Sequence, residues 1–255
     1  MKCGFTAIIG APNAGKSTLV NALVGSKVAI VSPKVQTTRM NVRGVAMRGE
    51  TQIIFVDTPG IFKPRRRLDK AMVAAAWSGA GDADAVVHLV DAAEITEHPN
   101  SHAAADTDSI IEGLKTATRK AALALNKIDA MKREQLLPLA QKFDAAGVYD
   151  QVFMISALKG DGLTELADWC QAKMPEGAWL YPADQAADIP SRLLAAEITR
   201  EKIYLRLHDE LPYASAVETE KWEDRKDGSV KIDQVIYVQR ESQKPIVLGK
   251  KGATI

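Results

Sequence analysis

The stretch Gly10-Ala-Pro-Asn-Ala-Gly15-Lys16-Ser17 has the spacing G-x-x-x-x-G-K-S. A lysine and a hydroxyl behind a glycine-bounded loop suit the binding of a phosphate chain. The glycines let backbone N–H groups turn toward anionic oxygens, Lys16 reaches the terminal phosphates, and Ser17 offers an oxygen to Mg²⁺. The apolar run Phe5–Ile9 before it reads as a buried strand, and Thr18–Val24 after it as a helix whose positive end faces the same anion. This predicts a nucleoside triphosphate, with contacts from Asn13, Ala14, Gly15, Lys16, Ser17 and Thr18. It does not say which base.

Three further groups sit downstream. Asp57 and Gly60 form a D-x-x-G pattern, in which the carboxylate can hold Mg²⁺ and the glycine N–H can approach a γ-phosphate. Alone, that pattern also describes an ordinary strand-to-turn aspartate. Thr37-Thr38-Arg39 lies in a connection without periodicity, where one threonine hydroxyl, assigned to Thr38, could complete the metal shell. Asn126-Lys127-Ile128-Asp129 discriminates between bases. A fixed carboxylate at Asp129 accepts from guanine N1 and the 2-amino group, whereas adenine leaves it unpaired, costing about 1–3 kcal/mol. Lys127 lies along the base, Asn126 ties this loop to the phosphate loop, and Ser156, Ala157 and Leu158 add contacts after the last strand. The motifs in this order predict a site for GTP and GDP.

The elements that must position these groups alternate between strand and helix. Strands are predicted at Gly44–Arg48 and Gln52–Val56 (a hairpin), Ala85–Val90, Ala121–Leu125 and Gln151–Ile155. Helices are predicted over Leu68–Ala80, Ser109–Thr116, Glu134–Ala146 and Gly162–Met174. Gly25–Asn41 reads as a mobile connection and Glu94–Asp108 as a polar one. Such alternation gives an α/β fold, a mostly parallel sheet with helices on both faces and ligands at the strands' carboxyl ends. Every polar motif above follows a strand end.

A Pro-rich stretch, 176–190, reads as a linker between residues 1–175 and 191–255. Beyond it lie an amphipathic helix, Ala195–Leu207, with Ile198, Ile203 and Leu207 as core candidates, and a hairpin, Ala214–Trp222 with Val230–Gln239. The chain then reaches Gly249-Lys250-Lys251-Gly252. At 255 residues, 46% hydrophobic and 25% charged, the composition is that of a globular protein, and the net charge of +1 neither announces nor excludes a nucleic-acid partner. Cys3 and Cys170, without metal or redox spacing, read as inert thiols in a reducing compartment. No stretch approaches the roughly 18 apolar residues of a membrane span, and no leader precedes the first strand. The expected place is the cytoplasm, with any inner-membrane contact peripheral.

Gly10–Ser17, Thr38, Asp57–Gly60, Asn126–Asp129 and Ser156–Lys159 resemble the G1 to G5 boxes of translation-factor-related small GTPases. Gln36–Arg39, Arg206–Tyr213, Glu223–Gly228 and Tyr237–Lys244 are similar to the Era family, bacterial GTPases with a C-terminal KH domain. The resemblance implies a P-loop GTPase G domain followed by a small α+β type II KH domain. The latter is cut short, because the chain stops after the G-x-x-G loop, where the resemblance implies a further helix and strand. It also implies that Thr37, Thr38, Arg39, Thr58, Pro59 and Ile61 lie in switch loops, and that Ser17, Thr38 and Asp57 hold Mg²⁺. Asn13 is implied as a K⁺ ligand, beside the plainer reading that it tolerates the turn. Gly249, Lys250, Lys251 and Gly252 are implied as the loop that clamps an RNA backbone. The partners implied are 16S rRNA near its 3′ end and the 30S subunit during assembly. Ile61 stands where related enzymes carry a water-orienting glutamine, so hydrolysis is expected to be slow without another group placing the water. Two rivals stand beside this reading: a tRNA-modification or membrane-linked GTPase, and a nucleotide-regulated RNA-binding module with negligible turnover. Arg65–Arg67 read as a solvated face before an rRNA contact, His88 as a satisfied core residue, and the tryptophans as packing.

Overall fold

The computed structural model describes residues 1–64, 66–249 and 252; Arg65, Lys250 and Lys251, which carried basic-loop and RNA expectations, lie outside the described residues. The chain divides into two compact units. One comprises Met1–Ala29 and Thr38–Asp188, the other Ile30–Thr37 and Ile189–Ile255.

The first unit is a six-stranded sheet of order β2-β3-β1-β4-β5-β6. Its strands are β1 (Lys2–Ile9), β2 (Val42–Arg48), β3 (Thr51–Asp57), β4 (Ala85–Asp91), β5 (Ala121–Asn126) and β6 (Tyr149–Met154). All pairings are parallel except the β2–β3 hairpin. Alternation along the central strands decides which face each residue serves. Ala7 and Ile9 of β1 pack with Val86 and Val90 of β4 against α2 (Arg67–Asp82), α4 (His102–Thr116) and α5 (Leu136–Asp144). Ile8, with Val87 and Leu89, packs on the opposite face against α1 (Lys16–Val24) and α6 (Leu163–Lys173). Both faces are therefore covered, and β3 is buried along its whole length. The wholly apolar runs of these strands follow from that burial.

Helix formation around Glu94–Asp108 departs from the expectation. A short helix, α3 (Ala92–Glu97), and α4, beginning at His102 rather than Ser109, occupy this stretch. Asp91 caps α3 by accepting from the Glu94 N–H at 3.1 Å, and Ser101 caps α4 by accepting from the Ala104 N–H at 3.3 Å. Alanines and polar residues hide the apolar period there, so only the caps mark the helices. The Pro-rich stretch also has a definite course. Gln52 Oε1 accepts from the N–H groups of Leu180 (2.8 Å) and Tyr181 (3.0 Å), and Ala186 O accepts from Val45 N at 2.8 Å. Residues 176–188 thus run along the β2–β3 edge of the first unit.

In the second unit, α7 (Ser191–Arg206) packs on the antiparallel hairpin β7 (Ser215–Asp224) and β8 (Val230–Val238), followed by α8 (Lys244–Leu248). Ile203, Leu207, Leu211 and Val247 form its small core, with Val217, Ile236 and Val238 against them. Ile198, expected in that core, is instead 38% exposed, because it lies off the face that carries Ile203 and Leu207. No helix among the described residues is long and apolar enough to cross a membrane.

Candidate nucleotide site

β1 ends at Ile9 and the chain turns through Gly10–Gly15 into α1. Gly15 has φ 99°, and a Cβ on it would stand 2.4 Å from Asn126 Nδ2, so this position is closed to a side chain. Asn13, with φ 62°, is the exposed tip of the turn. Lys16 is buried and folds back over the loop, donating to Gly10 O (3.1 Å) and Ala11 O (2.9 Å). Burial lowers its pKa to about 8 against the pull of Asp57. The ammonium thus occupies the loop that its charge would draw an anion into.

Three chain segments converge on one oxygen cluster. Ser17 Oγ, in the first turn of α1, donates to Asp57 Oδ2 at 2.7 Å. Thr38 Oγ1 lies 3.0 Å from Ser17 Oγ and 3.2 Å from Asp57 Oδ2. Asp57 is fully buried at the end of β3, and burial raises its carboxyl to about 6 despite Ser17, Lys16 and Thr38. Its Oδ1 has no hydrogen-bond partner among the described residues. Two hydroxyls and one carboxylate with a free buried oxygen make a hard oxygen donor set, which fits Mg²⁺. The two adjacent threonines part company. Thr37 Oγ1 donates to Lys34 O at 2.7 Å and lies 2.6 Å from Ser32 Oγ, so only the Thr38 hydroxyl joins the cluster.

The remaining switch residues are fixed in the fold. Thr58 Oγ1 donates to Ile8 O at 2.7 Å, and Pro59 and Gly60 are buried. Ile61 donates its N–H to Gly10 O at 3.0 Å and sends its side chain into the core with Ala76 and Val90. That apolar side chain packs in the core and offers the cluster no hydrogen bond. Arg39 follows Thr38 at the margin of this loop.

The base-side motif is assembled by Asn126. Its Nδ2 donates to Ala14 O at 2.8 Å and its Oδ1 accepts from Ala157 N at 2.9 Å, so one buried amide joins three loops. Lys127 adopts φ 65°, and its ammonium pairs with Asp91 at the end of β4. Asp129 opens to solvent on the following turn. Ser156 is buried, its Oγ accepting from Lys159 N at 3.1 Å, Ala157 is buried, and Leu158 is exposed. Asp91 escaped the sequence reading; its signal was a carboxylate at a strand end, level with Asn126 in the β4–β5 register. His88, read as a satisfied core residue, is only half so. Its Nδ1 lies 2.8 Å from the Tyr149 hydroxyl, while Nε2 has no partner among the described residues.

In the second unit, α8 ends at Leu248, and the N–H of Gly249 after it donates to Pro245 O at 2.9 Å. Gly249 O accepts from Gly252 N at 3.2 Å, and the two glycines have φ of 72° and 77°. Both glycines thus hold a positive φ, which glycine adopts without strain.

Residues 5–127 match the protein family described as a 50S ribosome-binding GTPase, and residues 210–255 match the KH domain family. The whole chain aligns with GTPase Era of Maricaulis maris at 60% identity, covering 83% of it, and with GTPase Era of Caulobacter vibrioides at 61%, again covering 83%. The chain belongs to the Era family of GTPases. It superposes along its full length on a variant of Aquifex aeolicus Era bound to GDP·AlF4⁻, with TM-score 0.90 and 39% identity, covering 85% of that chain. A second Era structure, in complex with MgGDPNP and nucleotides 1506–1542 of 16S ribosomal RNA, matches with TM-score 0.90 and 38% identity, covering 84%. The fold is thus a P-loop GTPase G domain with a mostly parallel sheet, followed by a KH domain, and the protein is a GTPase. Membership of a GTPase family sets aside the non-hydrolysing rival.

Proposed function

We propose that the chain binds Mg·GTP through the motifs of its first unit, hydrolyses it, and acts as a switch on an RNA-binding second unit. The observation that carries the nucleotide reading is the convergence of Ser17, Thr38 and Asp57 on one cluster with a free buried carboxylate oxygen. In this reading Ser17, Thr38 and Asp57 would hold Mg²⁺, which would supply positive charge against the triphosphate. Lys16 releases the carbonyls of Gly10 and Ala11 and turns to the incoming phosphates, which replace those acceptors with stronger ones. Backbone N–H groups of Asn13–Thr18 line the phosphate chain, and Asp129 accepts from guanine N1 and the 2-amino group. Lys127 flanks the base, and Ser156, Ala157 and Leu158 close the far side. Water attacks the γ-phosphate directly, with no covalent intermediate on the chain. Because Ile61 is turned into the core, the water takes its position from elsewhere. Asn13, exposed at the loop tip, is proposed to hold a K⁺ ion that adds positive charge there.

We assign the nucleotide unit to residues 1–175, the linker to 176–190 and the KH portion to 191–255. The bound nucleotide is read at Thr37–Arg39 and Thr58–Ile61, loops that GTP and GDP hold differently. By analogy with the Era complex that holds 16S ribosomal RNA, the loop Gly249–Gly252 clamps RNA near the 3′ end of 16S rRNA. The process served is assembly of the 30S subunit in the cytoplasm. The test measures phosphate release and affinity for a 16S 3′-end oligonucleotide at fixed salt. Turnover that needs Mg²⁺ and rises in K⁺ over Na⁺, with RNA binding weakened by Gly249→Asp, is the expected result. Turnover indifferent to chelation of Mg²⁺ overturns the metal assignment. RNA binding untouched by Gly249→Asp overturns the loop assignment.

A further inference from the structure

Helix α7 carries two adjacent charged side chains, Arg200 and Glu201, each 3% exposed. Charges so far from water persist only when polar groups meet them. Both find those groups in one irregular segment of the same unit, Ile30–Thr37. Glu201 Oε1 accepts from the Val31 N–H at 2.9 Å, and Arg200 Nη2 donates to Thr37 O at 2.6 Å. Between those ends, the Lys34 ammonium donates to Tyr204 O and the Tyr204 hydroxyl meets Gln36 O at 3.5 Å. Arg200 is aimed by Glu197, whose Oε1 accepts from Arg200 Nε at 2.9 Å, and it lies over the Tyr204 ring at 5.3 Å. Among the described residues the segment pairs with no strand, and side chains of α7 hold its backbone at both ends.

The residue after Thr37 is Thr38, whose hydroxyl stands in the oxygen cluster with Ser17 and Asp57. A trans peptide fixes adjacent Cα atoms about 3.8 Å apart, so holding Thr37 by its carbonyl restricts where Thr38 can go. We propose that Arg200 and Glu201 are positioning residues of the nucleotide site. They hold the 31–37 backbone so that the Thr38 hydroxyl stays where a metal bound to the γ-phosphate needs it. The order of Thr38 is thereby supplied before nucleotide arrives, and less entropy is lost when the triphosphate binds. The effect is confined to the triphosphate state, because GDP lacks the γ-phosphate that would share a metal with the Thr38 oxygen. This inference rests on the proposed metal role of Thr38.

Calorimetric titration of the full chain with a β,γ-imido GTP analogue and with GDP, both with Mg²⁺, tests it. Arg200→Ala should weaken the analogue about tenfold, a coupling of ordinary size, and leave GDP unchanged. Lys34→Met, which removes one half-buried tie and spares the helix, should weaken the analogue about threefold. Thr38→Ala should weaken the analogue too, and Arg200→Ala added to Thr38→Ala should cost little more. If Thr38→Ala affects the analogue while Arg200→Ala and Lys34→Met do not, the positioning role is overturned alone. If Thr38→Ala has no effect, the metal role of Thr38 falls, and this inference with it. Equal losses for GDP and analogue in Arg200→Ala show a merely structural residue and overturn the proposal. Should Arg200→Ala fail to fold, Lys34→Met decides by the same split.

Discussion

Two loops bring hydroxyls to the oxygen cluster, and they are held by different means. The phosphate loop, Gly10–Ser17, is short and bounded by β1 and α1, and its contacts come from its own lysine and from Asn126 on the neighbouring strand end. The segment leading to Thr38 follows α1 by a long irregular path. Asn21 grips its start, accepting from Val28 N and Ala29 N at 2.9 Å each, and α7 grips the rest. One loop is fixed by the sheet it grows from, the other by residues some 170 positions away in sequence. A loop built on rigid elements suits a constant task, binding phosphate in every nucleotide state. A loop held by a few side-chain contacts has a local stability low enough for a ligand to change.

That difference predicts different phenotypes. The largest effect belongs to Lys16→Ala, which removes the buried charge from the phosphate loop. It should lower kcat/KM for GTP about 100-fold or more, read by phosphate release. A loss under tenfold would mean the loop's backbone alone binds the phosphates. Next comes Asn126→Ala, which frees Ala14 O and Ala157 N together. Leaving buried groups unpaired costs about 1–3 kcal/mol, and the loss should fall equally on GDP and the triphosphate. Arg200→Ala should instead touch the triphosphate only. If both variants show the same nucleotide pattern, the two loops are not held independently.

A further effect, on stability and not on nucleotide binding, concerns the sheet beneath the phosphate loop. His88, on the central strand β4, is fully buried, and burial chiefly, with Lys16 nearby, lowers its pKa from 6.5 to about 3. Between those values the unfolded chain binds a proton that the folded one refuses, so stability falls as pH falls through that window. The slope is about 1.4 kcal/mol per pH unit at most. Asp57, raised to about 6, acts in the opposite sense over the same window. The His88 contribution is therefore read as the difference between denaturant titrations of the native chain and of His88→Gln from pH 6.5 to 4, the native chain losing more stability toward acid. The same pH dependence in His88→Gln as in the native chain would overturn the role given to His88.

Much of the nucleotide unit was legible because its determinants are local. Strands buried on both faces read as apolar runs, and glycine at position 15 is demanded by a backbone of φ 99° that side chains resist. Where local signals were weak, the reading slipped. Ala92–Asp108 folds as two capped helices whose alanine-rich faces carry no period, and Ile198 turns outward despite its apolar side chain.

By itself the sequence determined the order of strands and helices, the phosphate-binding turn and the residue types at each strand end. These follow from propensity, periodicity and short-range geometry. Only the tertiary structure decided which of two adjacent threonines meets Asp57, that Ile61 leaves the site for the core, and that Arg200 and Glu201 serve the segment before Thr38. Each of those outcomes depends on groups that meet across long stretches of chain. A buried charge or carbonyl finds its partner wherever packing puts one, and spacing along the sequence carries no record of that meeting.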